Sequence, residues 1–325
     1  MSGNIIEVKR LDNKAFSVPI LFLVFNRPDT TKTVFEKIRK IRPARLFIAA
    51  DGPRAGREDD AQKCAEVKRI VGGVDWPCEV TTLFREKNLG CRKALSSAIT
   101  WFFEQVEEGV ILEDDCMPDI SFFAYAGELL ERYRNDERIG MICGTNLQFG
   151  ARPRTDFSYY FSRYNHVWGW AGWRRVWRNY DVDMKMWNEI KSGGWLNDFM
   201  DNVAQVKYWT GVFDAVSQNQ INTWDYQLFL TFIMNNYLSI IPNVNLISNI
   251  GYSKDATHTF DEKDIVSKMK TESIECPLRH PNFIIRDKTA DERVEKVFFR
   301  SHGLIELIKH NVKTSIKKVL KIKKR

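Results

Sequence analysis

The sequence lacks several features that would assign it to a class at once. No apolar run approaches the ~20 residues of a membrane-spanning helix. The first 16 residues are polar and mixed in charge, unlike a signal peptide. The cysteines form no CxxC pair and have no histidine at metal-ligand spacing, so neither a zinc site nor a disulfide framework is expected; they are Cys64, Cys78, Cys91, Cys116, Cys143 and Cys276. A cytoplasmic location is the resulting expectation.

The composition is that of a globular enzyme with a large core. The chain has 325 residues, of which 44% are hydrophobic and 28% charged. Aromatic residues reach 13%, and the net charge is +7, with much of the basic excess near the C-terminus. This charge suits an anionic substrate such as a nucleotide, or an anionic membrane surface. We expect no nucleic-acid partner.

The first half alternates between strand-like and helix-like segments. A nearly unbroken apolar run predicts a buried strand at 18–25, and further strands are predicted at 45–50, 79–84 and 109–112. Apolar residues at helical spacing predict helices at 30–41, 59–71 and 91–106, with Pro28 suited to a first helical turn. This order predicts an α/β fold with a doubly wound, mostly parallel sheet flanked by helices.

Polar side chains follow each of these four strands. In such sheets, ligands bind beyond the carboxyl ends of the strands. Four polar clusters at four strand ends therefore predict one common site. The candidate ligand-binding residues are Asn26, Arg27, Asp51, Arg85, Asn88, Glu113, Asp114 and Asp115.

The triplet Glu113-Asp114-Asp115 is the candidate metal site. Hard carboxylate oxygens suit Mn²⁺ or Mg²⁺, which accept further ligands from substrate phosphates. We predict that Asp115 binds the metal, whereas Glu113 and Asp114 support it or touch the ribose. Period-two alternation would place Glu113 and Asp115 on one face and Asp114 on the other. In the alternative interpretation, the three acids only cap a loop before Pro118.

The second half is less regular and contains no internal repeat. Strands are predicted at 141–145 and within 239–250, and a helix at 225–235. Trp168, Trp170 and Trp173 surround two glycines and form either a platform for a sugar or part of the core. The basic segment 313–325 has interleaved apolar residues, as in helices that lie on anionic membranes, or it is a solvated terminus.

Several segments together resemble a bacterial group of GT-A glycosyltransferases, the hemolytic-protein-like or nucleotide-diphospho-sugar transferases, which are related to N-acetylglucosaminyltransferase I. The similarity extends from about Val18 to His258 and depends on the order and spacing of the segments. They are VPILFLVFNRPD, LFIAADGPR, REKNLGCRKAL, GVILEDDC, WGWAGWRRVW, NTWDYQ and NIGYSKDATHT.

The resemblance implies roles for individual residues. Arg27 and Asp51 would contact the base and ribose of the donor, and the last carboxylate of the triplet, Asp115, would bind Mn²⁺. Asp225 would be the catalytic base of an inverting enzyme, although an aspartate at a helix start, next to Thr223, is also a common N-cap. His258 would supply a further metal or phosphate contact, or a purely structural one.

The resulting hypothesis is a metal-dependent inverting glycosyltransferase. It would transfer a sugar from a nucleotide diphosphate donor, UDP-sugar first among them, to a glycan or lipid-linked acceptor in surface polysaccharide synthesis. The predicted domain spans residues 16–260, with a donor half (16–150) and an acceptor half (151–260), followed by a helical C-terminal extension (261–325). The alternatives are a retaining glycosyltransferase, a sugar nucleotidyltransferase and a non-catalytic nucleotide-sugar or glycan-binding module.

Overall fold

The computed structural model describes residues 16–151, 154–251 and 269–296. Strands and helices alternate through the first part of the chain, as the apolar periodicity predicts. The strands are β1 (Ile20–Val24), β2 (Arg45–Ala50), β3 (Glu79–Phe84), β4 (Glu108–Glu113), β5 (Cys116–Pro118), β6 (Ile139–Cys143), β7 (Tyr159–Ser162), β8 (Trp170–Trp173), β9 (Leu238–Pro242) and β10 (Ile247–Asn249). The helices are α1 (Pro28–Ile41), α2 (Glu58–Val71), α3 (Gly90–Gln105), α4 (Ser121–Arg132), α5 (Arg174–Trp177), α6 (Trp187–Ser192), α7 (Leu196–Phe199), α8 (Val203–Ser217), α9 (Asp225–Asn235) and α10 (Lys288–Val294).

The central sheet has eight strands in the order β3-β2-β1-β4-β8-β6-β9-β7. Strands β3, β2, β1 and β4 are mutually parallel, and every residue of β1 is buried because helices cover both faces. The predicted α/β fold with a mostly parallel sheet flanked by helices is therefore confirmed.

The chain adds its first strands to the sheet on one side of β1 and its next strand on the other side. The chain winds outward from β1 to β2 and β3, and then returns to place β4 on the opposite side of β1. Two crossover connections thus leave β1 and β4 toward different sides of the sheet, which opens a crevice at their carboxyl ends. The fold therefore has a topological switch point directly beside the acidic triplet.

Strand β8 joins the two halves of the chain within one sheet. It pairs antiparallel with both β4 and β6, so that Trp170 lies opposite Ile111 and Cys143. All four of its residues are buried. Residues of the predicted acceptor half therefore complete the sheet that carries the predicted donor half.

A second, two-stranded sheet brings a distant segment to the end of β4. Strand β10 pairs antiparallel with β5, and the Ile250 amide donates to the Asp115 carbonyl over 2.8 Å. This pairing places Asn249 and Gly251 against the acidic triplet. Within the residues that the structure describes, no helix is both long and apolar enough to cross a membrane.

The segment 269–296 packs on the far end of the central sheet. Phe161 of β7 forms a bridge with Arg286, and α10 follows immediately. Residues 269–296 of the predicted C-terminal extension are thus in contact with the main sheet. The basic segment 313–325 lies outside the described residues.

Candidate active site

A cavity of about 380 Å³ lies at the topological switch point, and we call it the switch-point cavity. Its wall comes from the carboxyl ends of β1, β2 and β4, from the start of α3 and from the segment after β10. The lining residues are Leu23, Val24, Phe25, Arg27, Ala49, Asp51, Arg54, Arg85, Asn88, Gly90, Cys91, Ala94, Leu95, Ala98, Glu113, Asp114, Asp115, Trp168, Asn222, Asn249 and Gly251. Seven of the residues predicted to bind donor or metal, and Trp168, therefore meet in one cavity.

Arg27 is the cation that faces the acidic triplet. Its Nη1 lies 2.5 Å from Oδ2 of Asp115 and 3.6 Å from Oδ1 of Asp114. The other Asp114 oxygen accepts a hydrogen bond from the Phe25 amide over 3.0 Å. Strand β4 ends at Glu113, so Asp114 and Asp115 lie in a turn. The predicted alternation of faces is therefore wrong beyond Glu113, and Asp114 and Asp115 share one arginine.

The triplet carries more negative charge than Arg27 offsets. Burial raises the pKa of Asp114 to about 7, and the neighbouring charge of Asp115 adds to the rise. Burial also raises the pKa of Glu113, followed by the charges of Asp115, Asp114 and Asp225. Closely spaced buried carboxylates disfavour one another's ionised form unless a cation joins them. The end of β4 is therefore an acidic centre to which a further cation would be attracted.

Asp51 holds together the loops at the rim of the cavity. Its carboxylate accepts hydrogen bonds from the amides of Gly52, Leu89 and Gly90 at 3.0–3.2 Å, and from Nδ2 of Asn88 at 2.8 Å. Asp51 thus accepts hydrogen bonds from the backbone amides at the start of α3. Amides in the first turn of a helix have no carbonyl partner within the helix itself. Asp51 and Asn88, both predicted to bind the donor, border the cavity. Their polar side-chain atoms already form hydrogen bonds within the protein.

Asn26 does not line the cavity, contrary to the prediction. Its Nδ2 donates to Oδ1 of Asp60 over 2.8 Å, and Asp60 also binds the backbone and guanidinium of Arg54. The Arg54 guanidinium in turn lies 5.3 Å from the ring centre of Phe25. Sequence reasoning missed both Arg54 and Asp60. The available signal was the basic residue three positions after Asp51, at the same strand end.

Asp225 lies in the first turn of α9, close to the acidic triplet. It is partly exposed, and its charge helps to raise the pKa of Glu113, after burial and the triplet's own charges. It accepts a hydrogen bond from the Thr223 hydroxyl, and no side chain caps α9. The N-cap alternative is therefore wrong. Asp225 is not itself a lining residue of the cavity.

Asn222 is a cavity residue that the sequence did not suggest. Its Oδ1 accepts a hydrogen bond from the Arg92 amide over 3.1 Å, and Arg92 Nη1 donates to Oδ1 of Asn219 over 2.6 Å. The loop before α9 is thus attached to the first turn of α3. This attachment sets the position of Asp225 relative to the cavity.

Two of the three predicted acceptor-binding tryptophans lie in the core. Trp170 is 3% exposed and Trp173 is 2% exposed, because both are on the internal strand β8. Trp170 stacks with Trp224 at 6.2 Å between ring centres, and Trp173 packs under Arg175 at 4.5 Å. The predicted platform role of Trp170 and Trp173 is therefore wrong, and only Trp168 of the three borders the cavity.

His258, the second predicted metal ligand, lies outside the described residues. Within residues 16–151, 154–251 and 269–296, no three His, Cys, Asp or Glu side chains are grouped so as to hold a metal ion. Gly251 nevertheless leaves room beside Asp115, since a Cβ at this position would lie 2.4 Å from Asp115 Oδ2. The segment that leads to His258 therefore starts in direct contact with the predicted metal ligand.

Comparisons with known proteins give no family for this chain. No protein-family model matches it, and the search of curated proteins gave no match. Two solved structures are similar over 50% of the chain at 8% identity. They are HddC from Yersinia pseudotuberculosis (80% covered, TM-score 0.31) and 4-diphosphocytidyl-2C-methyl-D-erythritol synthase from Anaerococcus prevotii (75% covered, TM-score 0.32). Likeness at this level concerns the α/β arrangement of strands and helices alone.

Proposed function

We propose that this protein is a transferase that uses a nucleotide diphosphate sugar, and specifically a metal-dependent inverting glycosyltransferase. The switch-point cavity is the observation that carries the proposal. On the β2 and α3 side, its wall is made of small apolar residues, namely Ala49, Ala94 and Ala98. On the β4 side it presents the acidic triplet and Arg27. One cavity thus offers an apolar slot for a base and a charged end for a diphosphate.

The nucleoside would enter the slot between β2 and α3. The small side chains leave space for a flat ring, and the cavity volume is within the ~300–1,000 Å³ of ordinary ligand pockets. Arg54 and Arg85 border the same region, where their guanidinium groups can donate to base or ribose oxygens. With the nucleoside in this slot, the diphosphate would lie toward Arg27 and the end of β4.

A divalent cation, Mn²⁺ or Mg²⁺, would join the diphosphate to the acidic centre. Asp115 is the proposed ligand, since it is partly exposed and Gly251 keeps the space beside it open. His258 is proposed as a further ligand from the segment after Gly251. When bound, the cation would offset the charge on the departing nucleoside diphosphate. Arg27 would then exchange part of its contact with Asp115 for a phosphate oxygen.

Asp225 is the proposed catalytic base. Inversion is a single displacement, so one carboxylate must take the proton of the acceptor hydroxyl as the new bond forms. Asp225 lies near Glu113 but outside the cavity lining, and we propose that the acceptor approaches from that side. Trp168 is the proposed contact face for a sugar ring. The acceptor would be a glycan or a lipid-linked glycan in surface polysaccharide synthesis, and the basic segment 313–325 could meet an anionic membrane.

Donor binding can be tested by thermal unfolding. We expect a nucleotide diphosphate sugar to raise the melting temperature in the presence of Mn²⁺, and UDP-sugars to be the most effective. The screen compares UDP-, GDP-, CMP- and dTDP-sugars, each with and without the metal. If no nucleotide stabilises the protein, the proposed function is wrong.

The roles of the two aspartates are separable by substitution. Asp115→Ala should abolish metal-dependent turnover. Asp225→Asn should preserve donor binding but slow transfer by ~10²–10⁴-fold, the usual contribution of a general base. Asp198→Asn is the control and should behave as the unsubstituted protein, because Asp198 is exposed and lies outside the cavity lining. Near-normal transfer by the Asp225→Asn variant would contradict the base assignment and favour a retaining mechanism.

The remaining alternatives give different outcomes in the same assays. A sugar nucleotidyltransferase would release diphosphate from a nucleoside triphosphate and a sugar 1-phosphate. The loop after β1 counts against that activity, because α1 starts at Pro28 and no glycine lies between Phe25 and Asp29. A non-catalytic binding module would be stabilised by nucleotide sugars without any turnover, and both aspartates would be dispensable for its function.

A further inference from the structure

A second cavity, of about 190 Å³, lies beside α10, and we call it the α10 cavity. Its lining consists almost entirely of residues with polar side chains. They are Asn146, Gln148, Ala151, Arg154, Thr155, Tyr160, Asn243, Asp287, Thr289, Ala290 and Arg293. None of them was a predicted site residue, and none lines the switch-point cavity.

The cavity is held open by a rigid frame. Helix α10 lies over the face of β7 that carries Tyr160 and Ser162, where the Ser162 hydroxyl donates to Asp291 over 2.5 Å. Gln148 closes the other wall: its Nε2 donates to the Ala290 carbonyl over 3.0 Å, and its Oε1 accepts from Arg293 Nη1 over 2.7 Å. Since Gln148 is only 6% exposed, these bonds fix the wall in place.

The lining has the chemistry of a site for an acidic sugar. Arg154 and Arg293 give two positive charges against the single negative charge of Asp287, which lies 3.9 Å from Arg154. Planar guanidinium groups bind carboxylates through paired hydrogen bonds. Hydroxyl and amide groups, such as those of Thr289 and Asn243, suit the hydroxyls of a sugar, and the Tyr160 ring offers an apolar face.

The cavity volume suits one sugar residue. At ~30 Å³ for each water of the liquid, 190 Å³ holds about six waters. It is smaller than the ~300 Å³ at which pockets for drug-sized molecules begin. The cavity therefore has room for about one sugar ring with its substituents.

Trp168 and its neighbours form the ridge between the two cavities. The Thr145 hydroxyl donates to the Trp168 carbonyl over 2.8 Å, and Leu147 packs with Val294, Trp168 and Phe149. Trp168 lines the switch-point cavity, whereas Asn146 and Gln148, on either side of Leu147, line the α10 cavity. Trp168 and the segment 145–149 therefore lie between the two cavities.

We propose that the α10 cavity binds a single carboxylate-bearing sugar residue, such as a hexuronic acid. This binding does not depend on the activity of the switch-point cavity. If the proposed function is correct, the bound residue belongs to the acceptor glycan, which would then be an acidic polysaccharide; that step rests on the proposed function.

Binding can be tested with sodium glucuronate by saturation-transfer NMR on the full chain, without nucleotide or divalent metal. Arg154→Gln and Arg293→Gln should each weaken glucuronate binding roughly tenfold, since each removes a charge-assisted hydrogen bond. Arg178→Gln is the matched control, because Arg178 is exposed and lies outside both cavities. The side chain of Arg154 is 71% exposed, so its substitution should leave the fold intact.

Glucose and sodium acetate test the sugar ring and the carboxylate separately, because glucose lacks the carboxylate and acetate lacks the ring. We expect both to bind at least tenfold more weakly than glucuronate. Acetate binding as tight as glucuronate binding would overturn the proposal, since it would indicate a site for any small anion. Equal glucuronate binding by the two cavity variants and the Arg178→Gln control, or no binding at all, would also overturn it. If no nucleotide stabilises the protein but glucuronate still binds, the α10 cavity remains a site for an acidic sugar. Only the assignment of that sugar to an acceptor glycan would then be wrong.

Discussion

Asp60 shows how one buried charge can organise the rim of a binding site. Its side chain is fully buried and accepts hydrogen bonds from Asn26 and from three nitrogens of Arg54. The hydrogen bonds from Arg54 lower the pKa of this carboxyl to about 2. The ionised form of Asp60 therefore stabilises the folded state and fixes Arg54 at the cavity.

Asp60→Asn should lower the free energy of unfolding by roughly 1–2 kcal/mol at pH 7, because the charge-assisted bonds to Arg54 are lost. The folded-state pKa of about 2 lies below the ordinary value of 3.8. The stabilisation by Asp60 is therefore present above about pH 4 and is lost as the pH falls toward 2. Urea unfolding at several pH values should show the gap between parent and variant closing over that range.

Asp59 provides the matched control for this prediction. It precedes Asp60 in α2, but its side chain is 60% exposed and pairs with Lys63 of the same helix. Exposed pairs of this kind contribute little to stability. Asp59→Asn should therefore leave the free energy of unfolding close to that of the parent protein. A loss as large as that of Asp60→Asn would contradict the role given to Asp60.

At the scale of secondary structure elements, the loops after β2 and β3 are in direct backbone contact. A Cβ at Gly52 would lie 2.5 Å from the Lys87 amide nitrogen, and Asp51 binds the amides at the start of α3. The rim of the switch-point cavity is thus a close approach of two loops. Only glycine allows that approach, since the atoms it would meet belong to the backbone.

Gly52→Ala should destabilise the protein by about 1–3 kcal/mol, because the two loops must move apart. Gly127→Ala is the opposite case. Gly127 lies inside α4, where an added Cβ would meet Phe16 at an ordinary 3.5 Å. That change should stabilise the protein by about 0.5–1 kcal/mol. Thermal unfolding of both variants tests these two opposite predictions. A Gly52→Ala variant more stable than the parent would contradict the close backbone contact between the two loops.

The elements themselves were largely predictable, but their pairing was not. Helix α9 has the predicted bounds, and α1 starts two residues before the predicted start, because Pro28 fits its first turn. The insertion of β8 between β4 and β6 was not predicted. The sequence of β8, WAGW, does not indicate that it pairs with β4 and β6. Only the assembled sheet shows that Trp170 and Trp173 belong to the core.

At the scale of the whole molecule, a buried ion network joins the C-terminal segment to the sheet. Arg163 follows β7 and is 2% exposed, with its Nη2 at 2.8 Å from Asp201 and 3.0 Å from Glu295. Arg286 also binds Asp201 and Asp291. The network thus connects β7, the start of α8 and the region of α10, and it keeps α10 in the position that forms the α10 cavity.

Arg163→Met should lower the free energy of unfolding by about 3 kcal/mol, because the buried acids lose their cation. The measurement is urea unfolding, combined with hydrogen exchange of residues 288–294, which should become faster. Arg138→Met is the control, since the Arg138 side chain is 65% exposed and exposed pairs such as the one it forms with Asp136 contribute little to stability. Unchanged exchange in α10 would contradict the role of the network.

The sequence by itself determined which segments form strands and helices, and which strand ends carry polar residues. Both follow from local information, because apolar periodicity and the residue that ends a strand are read within a few positions. Only the tertiary structure decided which of those polar residues face the cavity. Asn26 binds Asp60, Asp51 holds a loop, and Trp170 is buried, because long-range packing and strand pairing, which no local pattern contains, set the direction of each side chain.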